Sequence, residues 1–206
     1  ILATFALTRW LTPHAAPTSG APTHVSFALP DGDEMGAVEV QPLAISEDGT
    51  RVAYVGLRDG KTLLYLRSLS EPSPKALDGT EGAEAPFFSP DGRWLAYVSD
   101  ESGRDEVYIQ PFNTEGKTAA AKWQISTAGG QWPAWRADGK EIIYTTADDT
   151  LFAVPVTATA GEVTAGNPAR LFQRRVNRVG TGACRRWVVS RDGQRFLLNV
   201  PVEDQD

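Results

Sequence analysis

Apolar and polar positions along the chain follow one pattern four times: an apolar strand, a polar turn ending in Asp-Gly, and a second apolar strand. The four copies read LAISEDGTRVAYV at 43–55, PFFSPDGRWLAYV at 86–98, PAWRADGKEIIYT at 133–145 and WVVSRDGQRFLLN at 187–199. A period of roughly 40–50 residues with several strands in each unit is typical of a β-propeller, in which small sheets surround a central axis. The pattern therefore predicts an all-β fold.

The turn of each copy has a residue composition that explains its shape. In Ser89-Pro90-Asp91-Gly92, Pro presets the backbone of a type I turn, Asp bonds the local backbone, and Gly accepts a positive φ. We expect the glycine to close a three-residue hairpin. The predicted structural turn residues are Asp48, Gly49, Asp91, Gly92, Asp138, Gly139, Asp192 and Gly193.

Each unit continues beyond its second strand. That strand is apolar on both faces, as in the run WLAYV at 94–98, which indicates burial between neighbouring blades. The pattern predicts third strands at 63–69, 107–112 and 151–156, and short fourth strands at 75–77, 123–126 and 169–172. The stretch VSFALP at 25–30 also alternates like a strand, and we expect it to close the ring with the last blade.

These elements predict a β-propeller of about four recognisable blades, with repeats near 43–82, 86–130, 133–173 and 187–206. Two strands are clear in the last repeat, so we expect the propeller to be incomplete at its C-terminus or completed by a partner chain. An unpaired strand edge favours association. We therefore expect that the chain could associate with a second copy of itself through this open propeller edge.

The N-terminal residues 1–11, ILATFALTRWL, are largely apolar and unlike the repeats. They are too few to cross a bilayer, which takes about 20 residues. Two interpretations are open: the end of a transmembrane helix with Arg9 and Trp10 at the membrane interface, or a short buried or interfacial segment of the domain. Residues 12–23, TPHAAPTSGAPT, have the composition of a flexible linker, and the propeller is expected at 24–206.

The turn and the strand that follows it resemble a known repeat. The pattern S-x-D-G-x-x-φ-A-[FY] at 46–54 and 89–97 resembles the TolB-type, WD-repeat-like propeller repeat. The N-terminal segment, the linker, VSFALP and the ending VVSRDGQRFLLNVPVED are together similar to the extracytoplasmic region of bacterial receptor-type serine/threonine protein kinases.

This resemblance implies a non-catalytic sensor domain that binds a protein or envelope ligand. It would lie in the periplasm or at the cell surface, tethered to the inner membrane by a preceding helix. Two alternatives stay open. The chain would otherwise be a free periplasmic TolB-like scaffold for protein partners, or the propeller gate of a prolyl-oligopeptidase-like peptidase that lacks its catalytic domain.

Charge and motif content narrow the function further. The net charge is −6, whereas nucleic-acid binders carry a basic face, so we expect no nucleic-acid partner. The single cysteine, Cys184, excludes an intrachain disulfide and a Cys-based zinc site. The sequence has no G-x-S-x-G elbow, kinase catalytic loop or P-loop. We therefore expect no catalytic residue, no cofactor and no metal.

Aromatic and basic residues are the best candidates for ligand binding. Trp132 follows a Gly-Gly-Gln loop just before a strand, which predicts an exposed indole. Arg174, Arg175 and Arg178 begin a basic run in an otherwise acidic chain, which favours an anionic ligand. We predict these four residues as the ligand-binding set, with a solvated loop as the alternative for the arginines.

The loop DESGRDE at 100–106 concentrates carboxylates at Asp100, Glu101, Asp105 and Glu106. A glycosidase acid–base pair or a calcium site needs such groups. A solvated turn between two strands is the simpler interpretation, and the same interpretation applies to Asp148 and Asp149 in the next repeat.

Overall fold

The computed structural model describes residues 34–35, 42–71, 73–112, 121–159, 162–176 and 185–201. The regular elements within these ranges are sixteen β-strands arranged in four antiparallel sheets. The predicted all-β propeller of about four blades is thereby confirmed. No helix among the described residues is long and apolar enough to cross a membrane.

Each sheet is one blade, and each blade is formed by one continuous stretch of the chain. Blade 1 contains β1 (Glu34–Met35), β2 (Leu43–Ile45), β3 (Arg51–Arg58), β4 (Lys61–Ser68) and β5 (Lys75–Ala76). Blade 2 contains β6 (Ala83–Phe88), β7 (Trp94–Ser99), β8 (Glu106–Pro111) and β9 (Trp123–Gln124). Blade 3 contains β10 (Gln131–Trp135), β11 (Glu141–Thr145), β12 (Thr150–Thr159), β13 (Glu162–Ala165) and β14 (Ala169–Gln173). Blade 4 contains β15 (Trp187–Val189) and β16 (Phe196–Leu198).

Two blades depart from a simple four-strand meander. In blade 1, β1 pairs with the end of β3 and β2 pairs with its beginning, so both lie along the same edge of β3. In blade 3, the long strand β12 pairs with β14 through its first half and with β13 through its second half. The strands β2, β6 and β10, which precede the Asp-Gly turns of blades 1 to 3, lie side by side, since β6 contacts both β2 and β10. These strands therefore line the axis of the propeller.

Three apolar cores join the four blades in series. Alternate side chains of β7 supply two of them: Leu95 and Tyr97 face blade 1, whereas Trp94 and Ala96 face blade 3. All six residues of β7 are buried, as the unbroken apolar run of its sequence predicts. The third core packs Ile143 and other side chains of blade 3 against blade 4. Residues from blade 4 in this core are Trp187, Val189, Phe196 and Leu198.

The four Asp-Gly turns share one hydrogen-bond pattern. In the first, the Gly49 N–H donates to the Ser46 carbonyl at 2.9 Å and the Ser46 N–H donates to the Arg51 carbonyl at 3.0 Å. The loop between Ser46 and Arg51 therefore has four residues and not the expected three. The glycines have φ between 65° and 72°, the left-handed region that favours glycine. The three-residue form occurs instead at Thr146–Thr150, where Asp149 takes the left-handed position with φ 63°.

At the opposite end of blade 1, β3 and β4 are joined by the two-residue loop Asp59-Gly60. Both residues have positive φ, at 52° and 75°. This is the type I′ geometry, whose twist matches that of the paired strands.

Several predictions concern residues outside the described ranges. They are the helix end at 1–11, the linker at 12–23, the closing strand at 25–30, and the residues Arg178 and Cys184. The domain boundaries drawn from the sequence stay predictions.

Candidate binding surface

The propeller has two unlike ends. One end, here called the turn face, carries the Asp-Gly turns at 46–51, 89–94, 136–141 and 190–195. The other end is called the Trp132 end, because β10 begins there with Gln131 and Trp132. The loop 100–105 of blade 2 and the turn 146–150 of blade 3 lie at the Trp132 end too, since they connect the far ends of the paired strands.

Trp132 occupies an unusual backbone position. Its φ is +58°, within a bulge where the pairing of β10 with β11 shifts register. Ala85 has φ +50° at the corresponding bulge of blade 2, and a proline follows each of the two residues. Blades 2 and 3 thus share the bulge, but they carry different side chains at its left-handed position. The half-buried indole of Trp132 stands where blade 2 has a buried methyl group.

Acidic groups surround the start of β10. The Gln131 side-chain amide donates to the Asp105 carboxylate at 2.7 Å. Glu84, at the position in β6 that corresponds to Gln131, is half-buried, and burial raises its pKa, assisted by the nearby charges of Asp105 and Asp100. The Trp132 end therefore combines one aromatic side chain with several carboxylates. Sequence reasoning missed Glu84 and Gln131, although each stands two residues before a proline in aligned repeats.

Glu106 differs from the other carboxylates of the 100–106 loop, because its side chain is 0% exposed. It accepts hydrogen bonds from the Arg104 guanidinium at 2.8 Å, from the Gly129 N–H at 3.0 Å, and from the Ser126 hydroxyl. These bonds attach the loop that precedes β10 to blade 2. The interpretation as a solvated turn is therefore wrong for Glu106. Its hydrogen bonds stabilise the loop that leads to Trp132.

No metal site is formed by the carboxylates in the part of the chain that the structure describes. Glu101 pairs with Lys122, and Asp105 binds Gln131. The turn aspartate Asp148 accepts hydrogen bonds from Thr146 and Thr150, and these hold its pKa below the usual range. The carboxylates of Glu101, Asp105 and Asp148 thus form hydrogen bonds or ion pairs with neighbouring side chains.

The predicted arginines lie at the same end of blade 3 as Trp132 but on its outer strand. Arg174 and Arg175 follow β14 and are exposed, while Arg178 lies outside the described ranges. The Arg174 N–H donates to the Asp149 carbonyl at 3.3 Å, which places it beside the 146–150 turn. Three strand spacings separate β14 from β10, or about 14 Å. The structure therefore gives the arginines and Trp132 no direct contact, although one extended ligand would reach both.

Arg185, near the end of the arginine-rich stretch at 174–186, is half-buried in the structure. Its guanidinium lies 4.6 Å from the Phe87 ring centroid and 5.4 Å from that of Trp187, and donates to the Pro133 carbonyl at 2.6 Å. Burial lowers its pKa to about 10. Arg185 thus ties blade 4 to blades 2 and 3, and the reading of a solvated loop is wrong at this position.

Comparisons with known proteins agree with this architecture. No protein-family model matches the chain. The Tol-Pal system protein TolB of Bordetella avium is 39% identical over 77 residues, which cover 36% of this chain and 17% of TolB. The uncharacterised protein Atu1656 of Agrobacterium fabrum is 25% identical over 164 residues, which cover 77% of this chain and 54% of that protein.

The crystal structure of TolB from Acinetobacter baumannii superposes with a TM-score of 0.54 at 22% identity, covering 77% of this chain and 37% of TolB. The fold is that of a TolB-like β-propeller. This TolB-like chain spans 17% of the length of the Bordetella relatives that it matches. The chain is also similar to the uncharacterized peptidase YuxL of Bacillus subtilis, with 32% identity over 115 residues. These residues cover 52% of this chain and 17% of YuxL.

Proposed function

We propose that this TolB-like propeller is a non-catalytic protein-binding scaffold that works outside the cytoplasm. The observation that carries the proposal is the similarity to the Bordetella Tol-Pal system protein, at 39% identity over 77 residues, on a chain with the same fold as a TolB. We expect proteins of the bacterial envelope to be its partners.

The Trp132 end is the best candidate for the binding surface. Exposed loops on a rigid scaffold commonly carry binding residues, and a half-buried tryptophan is an amphipathic group that is enriched at protein interfaces. Carboxylates nearby add charge selectivity, because Asp105 and Glu84 stand close to the start of β10. Arg174 and Arg175 extend the surface outward along blade 3.

Site-specific photo-crosslinking tests this proposal. A benzoylphenylalanine residue replaces Trp132 in the whole chain, and the control carries it at Arg170, an exposed residue of the outermost strand β14. Illumination with an envelope fraction should give a discrete adduct at position 132 and none at position 170. Unlabelled propeller should compete for the adduct, and Trp132→Ala should compete at least about tenfold less well, the loss typical of an aromatic interface residue.

Trp132→Ala is a suitable competitor because Ala85 shows that alanine accepts the same backbone conformation in blade 2. Equal adducts at the two positions, or equal competition by Trp132→Ala, would contradict a binding role for this end. An absence of any specific adduct from the envelope fraction would also argue against a protein partner at the Trp132 end.

Two more specific functions predict different sequences next to this chain in its gene. As a peptidase gate, suggested by the YuxL similarity, the chain would lie next to a G-x-S-x-G hydrolase domain in its gene. As a receptor-kinase sensor, suggested by the apolar residues 1–11 and the linker, it would follow a kinase catalytic loop and about 20 apolar residues. Sequencing the DNA on both sides of the coding region distinguishes these readings from a free periplasmic scaffold.

A further inference from the structure

The Asp-Gly turns of neighbouring blades face each other across gaps on the turn face. An arginine of the chain fills the gap between blades 1 and 2. The Arg51 guanidinium donates to the Gly92 carbonyl at 3.4 Å and lies 5.8 Å from the centroid of the Phe112 ring. The Arg51 side chain therefore connects the Asp-Gly turns of blades 1 and 2, through a hydrogen bond and a cation–π contact.

A second arginine lies between the turns of blades 3 and 4. The Arg136 side chain is so close to Gly193 that a Cβ added to that glycine would stand 2.4 Å from the Arg136 Cδ. The guanidinium also pairs with Asp138 at 2.5 Å and with Glu141 at 2.6 Å. Two of the gaps on the turn face are thus occupied by cationic side chains of the protein itself.

Among the described residues, no basic side chain fills the gap between blades 2 and 3 in this way. The gap is an open cleft of about 320 Å³, and none of the side chains that line it is basic. The residue that corresponds to Arg51, three positions after the turn aspartate, is here Trp94. Trp94, Trp135 and Ala158 form an apolar lining, and Asp91 and Asp138 lie on the turns at its two sides.

Charge at the cleft is incompletely balanced. Asp138 is paired with Arg136, whose hydrogen bonds hold the pKa of Asp138 at about 2. The Asp91 carboxylate accepts hydrogen bonds from the Ser89 hydroxyl at 2.6 Å and from the Arg93 N–H at 3.1 Å, both of them neutral donors. The cleft therefore keeps one anionic wall beside two buried indoles, within a chain of net charge −6.

The lining also contains a polar group with an unmet hydrogen bond. Trp135 is 5% exposed, and its indole N–H has no acceptor among the described residues. A buried donor without an acceptor costs about 1–3 kcal/mol.

We propose that the cleft between the turns of blades 2 and 3 binds an arginine side chain of a partner polypeptide, in the way that Arg51 fills the gap between blades 1 and 2. This inference deepens the proposed scaffold function and rests on it for the partner. Arginine fits better than lysine because its planar guanidinium stacks on aromatic rings and binds carboxylate with a fork of donors.

The test uses the whole chain labelled with ¹⁵N and the probe N-acetyl-arginine methylamide. The six tryptophans give six indole N–H signals, assigned by single Trp→Phe replacements. We expect saturable shifts of the Trp94 and Trp135 signals, with a dissociation constant on the order of 1–10 mM for so small a probe. The signal of Trp187, which lies in the core between blades 3 and 4, should stay in place.

Two controls isolate the charge. N-acetyl-citrulline methylamide has the same shape without the charge, and it should bind at least about fivefold more weakly, as loss of one charge contact at a partly exposed site implies. Asp91→Asn should weaken arginine binding by a similar factor, while Asp48→Asn in the corresponding turn of blade 1 should leave it unchanged. The citrulline comparison needs no variant, so it decides the matter even if Asp91→Asn unfolds.

Absence of shifts at Trp94 and Trp135, equal binding of citrulline, or an unchanged affinity in folded Asp91→Asn would each overturn the inference. The crosslinking at position 132 is scored separately. A specific envelope adduct without probe binding would reject the arginine cleft and leave the scaffold function standing. Probe binding without an adduct at position 132 would uphold the arginine cleft and reject the Trp132 end as the surface that meets the partner.

Discussion

At the scale of single residues, the aspartate of each Asp-Gly turn holds the loop in its shape. Asp48 accepts from the Ser46 hydroxyl at 2.5 Å and from the Thr50 N–H at 3.0 Å, and Asp91 repeats both bonds. In blade 3 the serine is replaced by Arg136, which donates to Asp138 through its guanidinium. In these three turns, the aspartate accepts a hydrogen bond from the side chain two residues before it. The donor is a serine hydroxyl in blades 1 and 2 and the Arg136 guanidinium in blade 3.

Protonation of these aspartates should loosen the turns in acid. The Ser46 hydroxyl and the Thr50 N–H lower the pKa of Asp48 to about 2. A lowered folded-state pKa contributes stability that is present above about pH 4, the unfolded value, and is lost as the pH falls towards 2. Asp48→Asn should unfold at a lower urea concentration than the native chain at pH 7, and this difference should shrink between pH 4 and pH 2.

The measurement is a series of urea transitions at different pH, together with a ¹³C titration of the Asp48 carboxyl group. A titration midpoint near 4 would show that the turn bonds do not favour the ionised form. A stability difference that stays constant down to pH 2 would do the same.

At the scale of elements, Glu106 fastens β8 to the loop that leads into β10. Its buried carboxylate receives three donors, from Arg104, Ser126 and Gly129. Glu106→Ala should lower the free energy of unfolding by about 3 kcal/mol, because the buried Ser126 hydroxyl and the partly buried Gly129 N–H would lose their acceptor. Urea unfolding measures this loss.

Glu101→Ala is the matched control, since Glu101 belongs to the same loop but pairs with Lys122 at a partly exposed position. Its expected cost is under about 1 kcal/mol. Similar costs for the two alanine variants would mean that Glu106 is not the anchor of this loop.

Much of the element structure could be predicted from the sequence because its signals are local. Alternation and unbroken apolar runs gave the strands, and Asp-Gly marked the turns at the ends of β2, β6, β10 and β15. The burial of Glu106 and the interblade contacts of Arg185 could not be predicted in this way. Each depends on partners 20 or more residues away, such as Ser126 for Glu106 and Pro133 for Arg185.

The candidate surface was predictable only in part for the same reason. The position of Trp132 beside a glycine-containing loop indicated exposure, and the residue is half-buried. Its left-handed backbone follows from a bulge, which forms only when β10 pairs with β11. The cleft on the turn face involves two turns from different repeats, and no local pattern reports the gap between them.

At the scale of the whole molecule, blade 4 carries an exposed apolar face among the residues that the structure describes. Val188 and Leu197 are paired across β15 and β16, and they are 56% and 73% exposed, on the side away from blade 3. Exposed apolar side chains that lie together mark a contact surface. We expect the chain to self-associate through this face.

Light scattering after size-exclusion chromatography, at several protein concentrations, measures this association. The native chain should increase in mass with concentration, and the double variant Val188→Lys with Leu197→Lys should stay monomeric because charge disfavours burial. The two changes avoid the core side chains Trp187 and Phe196, so blade 4 should stay folded. A native chain that is monomeric throughout would rule out this contact.

The serial cores between blades also have an evolutionary consequence. Each blade meets its neighbours through alternating side chains of its own strands, as β7 does with Leu95 and Tyr97 on one side and Trp94 and Ala96 on the other. A duplicated repeat would inherit both of these faces at once. Gene duplication can thus lengthen such an array by one unit without new compensating changes in the blades already present.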